Sequence, residues 1–407
     1  MQRSHIVRAA AMFWGLTVFM PVGVTYVSFL LLMVALLVAG GWRERAIRLR
    51  GNPMWWPVMA YVAWTLAVLA LEPHYPETAS NLFHGLRIAA TILMALALTR
   101  DEAIWALRGF WTIGLVNIVM IALYYSVGFP MLEPWRGVLV LIGNKSISNA
   151  LLFTIMAATA AVYGLQSLAG HRRWRAVAAF ALVPAVMAII TFSLPSRTSL
   201  LALLLVIPAA CVHQWRRQLK VLALVLMAGG VIAAGVLWNS PVVQQKFAVG
   251  IQEIEAAQAG EISEASWVVR YYMYRDTARM MIDRPFAGWG IGGWTEQWHL
   301  RGPKLLDYKN MPHNDFLWMG AQSGFPGALS LLVIMLAAVW IAWRRDDLAG
   351  RQAFVATLVL LIATSVNSAL RDAQIGLALL WVAMVYLRLA QAPGDSWRGL
   401  LPSLRRS

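Results

Sequence analysis

Long apolar stretches follow one another along most of the chain and constrain its fold more than any other feature. Of the 407 residues, 60% are hydrophobic and 13% are charged, whereas a soluble domain carries roughly 25% charged residues. A water-soluble core stops growing near roughly 250 to 300 residues, so this much apolar surface requires lipid. The spacing predicts an all-α, polytopic membrane protein of about twelve transmembrane helices. They are expected near residues 9–22, 24–41, 55–71, 82–98, 103–127, 147–169, 176–194, 198–212, 220–238, 315–342, 353–369 and 373–390.

One hydrophilic stretch interrupts the apolar runs and divides the chain. We predict nine transmembrane helices in 1–238, a non-cytoplasmic loop in 239–312, three transmembrane helices in 313–391 and a basic cytoplasmic tail in 392–407. Within the loop, Trp267 to Met281 alternates apolar and basic residues, as an interfacial amphipathic helix does. The loop also contains a G-x-G-x-x-G match that starts at Gly288. A proline turn and not a strand precedes it, so we expect a flexible loop and not a dinucleotide site.

Positive charges collect in alternate connections between the apolar runs and so orient the chain. Lys and Arg gather on the cytoplasmic side of multi-spanning proteins. Arg43 to Arg50, Arg172 to Arg175 and Arg344 to Arg351 therefore mark cytoplasmic connections, and both termini are predicted cytoplasmic. The net charge of +15 comes from these short clusters and not from one basic face, so it does not indicate nucleic acid binding.

Several common catalytic arrangements lack support in the sequence. Cys211 is the only cysteine, so the chain can form neither an internal disulfide nor a Cys-based metal site. No H-E-x-x-H, Walker A or G-x-S-x-G pattern occurs. Metalloprotease, ATPase and serine hydrolase functions are therefore not indicated.

His313 stands at the junction between the hydrophilic loop and an apolar helix, within Met311-Pro312-His313-Asn314-Asp315. A ring at that junction borders both water and membrane. Its ordinary pKa of about 6.5 suits it to accept a proton at neutral pH. An interfacial histidine without a catalytic role is the plainer alternative, with Asn314 or Asp315 capping the helix.

Arginines on the predicted outer side form a second signal, because ionisable groups at membrane depth are unfavourable and often mark a function. Arg197 follows Pro195, which interrupts two apolar runs and leaves a short turn at the outer interface. A guanidinium there can bind phosphate through two hydrogen bonds, although a snorkelling anchor explains the same position. Arg87 lies inside an apolar run and needs a partner. The same side also holds Arg136, Lys145, Arg270, Arg275 and Arg371.

Three short segments together resemble the O-antigen ligase family, which groups with O-antigen polymerases and protein O-oligosaccharyltransferases. The first is Pro195-Ser196-Arg197-Thr198, and the second runs from Arg270 to Pro285-Phe286-Ala287-Gly288-Trp289-Gly290. The third is His313-Asn314-Asp315-Phe316-Leu317, which Gly324 and Gly327 follow. The resemblance covers about residues 190–335 and rests on the order, spacing and shared outer placement of the motifs.

The resemblance implies transfer of a glycan from undecaprenyl pyrophosphate to lipid A-core oligosaccharide, at the periplasmic face of the bacterial inner membrane. It implies an inverting, metal-independent reaction without a cofactor, with His313 as general base. The donor pyrophosphate would contact Arg197, Arg270, Arg136, Lys145 and Arg87, and supporting positions would be Asn314, Arg371 and Asp372. The expected partners are the donor and acceptor glycolipids and membrane lipids, without nucleic acid.

Two other functions fit parts of this pattern. An O-antigen polymerase uses the same carrier, and the sequence barely separates it from a ligase. After about Ala390 only a short basic tail remains, and this weighs against a protein O-oligosaccharyltransferase with an added soluble domain. A secondary transporter of an anionic solute could have as many helices, but it would bind near the midplane. Most ionisable residues outside the basic clusters lie at the outer interface instead.

Overall fold

The computed structural model describes residues 2–128, 144–194, 196–239 and 241–391. It is all-helical, with 82% helix, and these ranges contain no strand. We number the helices in chain order: α1 Gln2–Thr17, α2 Val22–Val38, α3 Trp42–Arg50, α4 Trp55–Leu71, α5 Thr78–Ala97, α6 Arg100–Val127, α7 Asn144–Ala169, α8 Arg173–Ala188, α9 Arg197–Trp215, α10 Leu219–Asn239, α11 Pro241–Gln258, α12 Ser266–Asp283, α13 Gly293–Arg301, α14 Asp315–Trp343, α15 Leu348–Val366 and α16 Ala373–Ala390.

Eight helices of the described ranges are long and apolar enough to cross a membrane: α5, α6, α7, α8 with the turn that follows it, α9, α14, α15 and α16. The pair α2 and α3 would add a ninth as a broken span with a bend of 113°. Two shorter apolar helices are Trp55–Leu71 and Leu219–Val231. These findings confirm an all-α protein with many membrane-spanning helices, and the total of twelve remains a prediction.

Helix α16 lies in the middle of the bundle. Of its residues, 89% are buried, and it packs against α5, α6, α7 and α15. The ring of Trp381 stacks on Trp14 of α1 with their centroids 4.0 Å apart. A helix that other helices surround on all sides can be apolar on every face, as this sequence is. The turn immediately before α16 is thereby anchored to the centre of the protein.

Arginine contacts hold one end of the bundle together. Arg45 of α3 binds both carboxylate oxygens of Glu102, at 2.9 and 2.7 Å. Arg388 of α16 donates to the carbonyl of the residue after α5 at 2.6 Å, and Arg216 donates to the carbonyl of Trp343 at 2.8 Å. We call this the basic end and the opposite end the site end. Arginine side chains at the basic end thus form hydrogen bonds between helix termini that are distant in sequence.

Two helices are interrupted at the site end. Helix α8 closes in a π-helical turn, Ile189–Ser193, shortly before Arg197. Helix α14 leaves helical geometry at Ser323 and Gly324, and Pro326 follows. Such breaks leave backbone N–H and C=O groups without partners in the helix, so other segments must bind them.

The predicted loop 239–312 contains helices that pack against the bundle. Helices α12 and α13 both contact α14, and the predicted amphipathic stretch Trp267–Met281 lies within α12. Buried Trp294 donates its indole N–H to the Thr277 hydroxyl at 2.8 Å, and Trp298 donates to the Leu306 carbonyl at 3.0 Å. Buried indoles with satisfied N–H groups fix these helices as part of the folded structure.

Candidate active site

His313 stands at the site end, directly before α14. Its φ of 55° lies in the left-handed region, which few residues other than glycine adopt and in which His is enriched. Asn314 then caps α14: its side chain accepts the N–H of Leu317 at 3.0 Å and donates to the carbonyl of Ser365 at 2.7 Å. The cap and the left-handed residue fix the backbone that carries the His313 ring.

A hydrogen bond to Asn367 defines the tautomer of His313. Nδ1 of the ring lies 3.3 Å from Oδ1 of Asn367. The same Oδ1 accepts the N–H of Ser368 at 3.0 Å, which fixes the orientation of the amide. In the neutral ring Nδ1 therefore donates, and Nε2 keeps its lone pair. Because Nε2 bonds to none of the described residues, it is the nitrogen that can accept a proton.

The surroundings of His313 favour the neutral ring. Burial lowers its pKa below the ordinary value, and the charges of Arg270 and Lys309 lower it further. The hydrogen bond to Asn367 opposes this shift. A general base must be unprotonated before it acts, so these effects prepare the ring for proton transfer at neutral pH.

Helix α12 brings Arg270 and Tyr274, one turn apart, to His313. The hydroxyl of Tyr274 donates to the backbone carbonyl of His313 at 3.0 Å, and Arg270 contacts the hydroxyl of Ser266. Burial lowers the pKa of Arg270, Tyr274 raises it, and the positive charge of Arg197 lowers it. Burial also raises the pKa of Tyr274. Arg270 forms no ion pair within the described ranges.

Arg197 is the first residue of α9 and a neighbour of Arg270. The hydroxyl of Ser196 caps the helix by accepting the N–H of Ser199 at 3.2 Å. Arg197 is exposed and, like Arg270, has no acidic partner within 4.0 Å in the described part of the chain. It borders a cleft of about 130 Å³, whose other walls are Gln245, Val249, Gly250, Glu253 and Trp267. Two adjacent guanidinium groups without a counter-ion form a place where an anion would be stabilised.

The turn 367–372, between α15 and α16, is clamped from two sides. Asp315, which is fully buried, accepts the N–H groups of Leu370 and Arg371 at 2.8 and 3.1 Å. Arg87 of α5 donates to the carbonyls of residues 370, 371 and 372 at 2.7, 3.1 and 3.1 Å. A second nitrogen of Arg87 donates to the hydroxyl of Tyr26 at 2.8 Å. This turn carries Asn367, so the clamp also positions His313.

The glycine-rich segment 285–293 is docked on the break in α14, and the expected flexible loop is therefore wrong. The N–H of Phe325 donates to the carbonyl of Pro285 at 2.7 Å, and the N–H of Trp289 donates to the carbonyl of Ala321 at 2.8 Å. The backbones approach so closely at Gly288 and Gly324 that added Cβ atoms would lie 2.6 Å and 2.0 Å from their neighbours. The segment satisfies the backbone groups that the broken helix leaves free.

Replacing Gly324 by alanine should destabilise the protein strongly. Gly324 has φ 68° and ψ −175°, a conformation that is essentially restricted to glycine, and its new Cβ would meet the carbonyl of Phe286. We expect a loss of about 3 kcal/mol or more, measured as a lower unfolding midpoint of the purified protein. Gly229→Ala in α10 is the matched control, because its Cβ would meet nothing within 4 Å. If both variants melt alike, the docked segment does not require this glycine.

Four of the nine predicted site residues lie together: His313, Asn314, Arg270 and Arg197. Three others, Arg87, Arg371 and Asp372, meet at the turn 367–372. Asp372 caps α16 by accepting the N–H of Ile375 at 2.9 Å. Arg136 and the side chain of Lys145 lie outside the described residues.

Tyr274, Lys309 and Asn367 also surround His313, and sequence reasoning did not select them. Tyr274 could have been found through its spacing of one helical turn from Arg270. Lys309 lies four residues before His313, but nothing in the pattern distinguishes it from other loop lysines. Asn367 carries no local signal, since 54 residues separate it from His313. Within the described ranges, no group of three or more His, Cys, Asp or Glu could hold a metal ion.

The fold and site define a class: a multi-pass membrane protein in which a histidine with a lowered pKa lies at one end of the bundle, with arginines that have no acidic partner among the described residues. Part of the sequence also matches a known protein family. Residues 183–332 match the family model described as O-antigen ligase, and this match supports the family that the three motifs indicated. No curated protein matches the chain. The matched segment contains Arg197, Arg270 and His313 and indicates a membrane glycosyltransferase of the O-antigen ligase or polymerase type.

Proposed function

We propose that the chain is an O-antigen ligase that transfers a glycan from undecaprenyl pyrophosphate to lipid A-core oligosaccharide. The reaction takes place at the periplasmic face of the inner membrane, and both termini are cytoplasmic. The proposal is supported by Arg197 and Arg270, which have no acidic partners in the described ranges: the charge of Arg197 acts on Arg270, and the charge of Arg270 acts on His313, whose pKa burial lowers. A pyrophosphate supplies the missing negative charge, and the histidine receives the proton that the transfer releases.

The reaction is a single displacement at the anomeric carbon of the donor glycan. A hydroxyl oxygen of the acceptor attacks this carbon while its proton moves to Nε2 of His313. The bond between the anomeric carbon and the phosphate oxygen breaks, and undecaprenyl pyrophosphate leaves with the electron pair. Arg270 and Arg197 stabilise the negative charge that grows on the leaving oxygen. Attack from the face opposite the leaving group inverts the anomeric configuration.

The residues around the turn 367–372 support this chemistry indirectly. Asn367 holds Nδ1 of His313 so that Nε2 faces the acceptor, and Asp315 holds the turn that carries Asn367. Arg87 donates four hydrogen bonds, one to Tyr26 and three to carbonyls of the turn. Its contribution to the site is therefore positioning. We assign the pyrophosphate to Arg197 and Arg270 because the charge of Arg270 acts on His313 and the charge of Arg197 acts on Arg270.

Reconstitution with purified substrates tests the proposed function. The protein in lipid nanodiscs receives a carrier-linked glycan and lipid A-core, and the products are sized on a gel. Glycan attached to lipid A-core is the expected result. Longer chains that remain on the carrier would instead identify an O-antigen polymerase. Unchanged substrates, with correctly folded protein, would contradict both assignments.

The pH dependence of transfer should report the surroundings of His313. Because its pKa is lowered, the ring stays neutral to a lower pH than a free histidine, and the rate falls only as pH drops through this lowered value. We expect the acidic limb of kcat/KM to lie below about pH 6.5. Lys309→Gln removes one of the charges that lower the pKa, so it should move this limb to higher pH.

Lys304→Gln is the matched control for Lys309→Gln. Lys304 lies in the same loop and donates to the backbone carbonyl of His299 at 3.1 Å, but it does not contribute to the shift at His313. Its pH profile should coincide with that of the wild type. Equal shifts for both variants would show a general effect of net charge and not a local effect on His313.

A further inference from the structure

Arg371 is a buried cation whose side chain has no partner among the described residues. Only 9% of its surface is exposed, and its side chain makes no hydrogen bond or ion pair with any described residue. Its Nε is fully buried and unsatisfied. Burying a guanidinium without a partner is strongly unfavourable, and buried charges in native proteins are normally paired. The usual explanation of such a group is a ligand or ion that completes it.

The acidic residues near Arg371 are engaged elsewhere. Glu77, Asp372 and Asp315 are close enough to affect its pKa, but none lies within ion-pair distance. Glu77 accepts the hydroxyl of Thr295 at 2.8 Å, and Asp315 binds the N–H groups of the turn. None of these carboxylates therefore pairs with the Arg371 guanidinium.

Hydrogen bonds hold the backbone of the turn that carries Arg371, whereas its side chain bonds to no described residue. Asp315 binds its N–H groups and Arg87 binds its carbonyls, so the backbone of residue 371 is held on both faces. His84, one turn before Arg87 on α5, lies near both arginines and has a buried Nδ1 without a partner. A held backbone, a free guanidinium and a free imidazole nitrogen together form a prepared anion site.

Different charged groups act on Arg371 and on the Arg197 and Arg270 pair. The charges that act on Arg270 come from Tyr274 and Arg197, and those that act on His313 come from Arg270 and Lys309. Arg371 contributes to neither. The turn 367–372 therefore connects two cationic places: Asn367 meets His313 at its start, and Arg371 lies near its end.

We propose that Arg371 binds a phosphate ester of the acceptor glycolipid. The identity of the glycolipid rests on the proposed function. Donor and acceptor must both reach His313, and the donor pyrophosphate occupies the cations of α9 and α12. The other cationic place is left for the acceptor, whose phosphate accepts the two parallel N–H groups that a guanidinium offers. Binding there anchors the acceptor so that its hydroxyl reaches Nε2 of His313.

Thermal stability provides the first test, because a ligand site and a structural arginine predict opposite results. Without ligand, Arg371→Gln should melt at the same temperature as the wild type or higher, since it removes an unpaired buried charge. Arg87→Gln is the matched control in the same cluster. It removes four hydrogen bonds and should lower the midpoint by about 5 °C or more. A comparable fall for Arg371→Gln would overturn the proposal.

Binding of the acceptor provides the second test, and it needs no transfer reaction. Lipid A-core and the same glycolipid after phosphatase treatment are titrated against the protein in nanodiscs. Wild type should bind the phosphorylated form about tenfold more tightly, because hydrogen bonds to charged groups are strong. Arg371→Gln should bind both forms equally, and Arg371→Lys should fall between, because it keeps the charge and loses the fork.

The outcomes separate this inference from the proposed function. If the phosphate preference depends on Arg371 but reconstitution gives no transfer, the anion site stands and the ligase assignment fails. If transfer proceeds and Arg371→Gln keeps the full phosphate preference, the inference fails and the ligase assignment stands. If inorganic phosphate alone stabilises the wild type as much as lipid A-core does, the acceptor assignment is overturned.

Discussion

Replacing His313 by asparagine should slow glycan transfer by about 10²- to 10⁴-fold, the range that a general base contributes. Asparagine tolerates the left-handed backbone of this position better than alanine does, so it removes the base with the least strain. His313→Ala should show a similar loss of rate and, in addition, a lower melting temperature. Initial rates with saturating donor and acceptor measure the effect on kcat.

His299→Ala is the matched control for the His313 variants. His299 lies in the same connection, is exposed, and pairs with Asp307 at 2.5 Å, and it is not among the groups that shift the pKa of His313. It should retain the activity of the wild type. A His313→Asn protein that transfers glycan at the wild-type rate would remove His313 from the role of base, and the site would need another proton acceptor.

The membrane-spanning architecture could be predicted because its cause is local. Every apolar run must satisfy its backbone hydrogen bonds within itself, and only a helix does this in lipid. The proline at 195 likewise predicts a break before Arg197, since proline cannot donate a hydrogen bond. For the same reason, the positions of Arg197 and His313 at the ends of apolar runs already indicated interfacial groups. Residue type and position within one segment were sufficient to predict these features.

The partners of Arg87 could not be predicted, because they lie 283 to 285 residues away. The sequence shows that a cation within an apolar run needs a partner, but several chemical groups could meet this need. An anionic substrate and the carbonyls of a turn are both possible, and the packing of α5 against α16 decides between them. The prediction of a pyrophosphate contact at Arg87 followed from charge alone, without knowledge of this packing.

The close packing of the glycine-rich segment 285–293 could not be predicted from the sequence either. Gly288, Gly290 and Gly292 all have positive φ, and a sequence rich in glycine is compatible with mobility or with close packing. In the folded protein the segment packs closely, because the backbone groups at the break in α14 need hydrogen-bond partners. Gln322 adds to this, since its side-chain oxygen accepts the N–H of Gly292 at 2.6 Å. A motif shared with a family can thus reflect the support of a site and not contact with substrate.

Replacing Arg270 by alanine should lower kcat/KM by about 10²- to 10³-fold, as the loss of one preorganised donor to a developing charge does. The charge of Arg270 acts on His313, and the charge of Arg197 acts on Arg270, so we place Arg270 where the leaving oxygen becomes negative. Arg270→Lys should recover part of the rate, because it restores charge without the two parallel N–H groups. Arg197→Ala should lower kcat/KM less than Arg270→Ala does, because Arg197 is exposed to water and its charge is screened.

Arg279→Ala is the matched control on the same helix, because Arg279 is 66% exposed and pairs with Asp276. It should transfer glycan at the wild-type rate. The Arg270 variants should also change the pH profile: loss of the cation raises the pKa of His313, so the acidic limb moves to higher pH. A lower rate with an unchanged pH profile would place Arg270 away from His313. Full activity in Arg270→Ala would exclude it from pyrophosphate binding and leave Arg197 as the phosphate contact of the site.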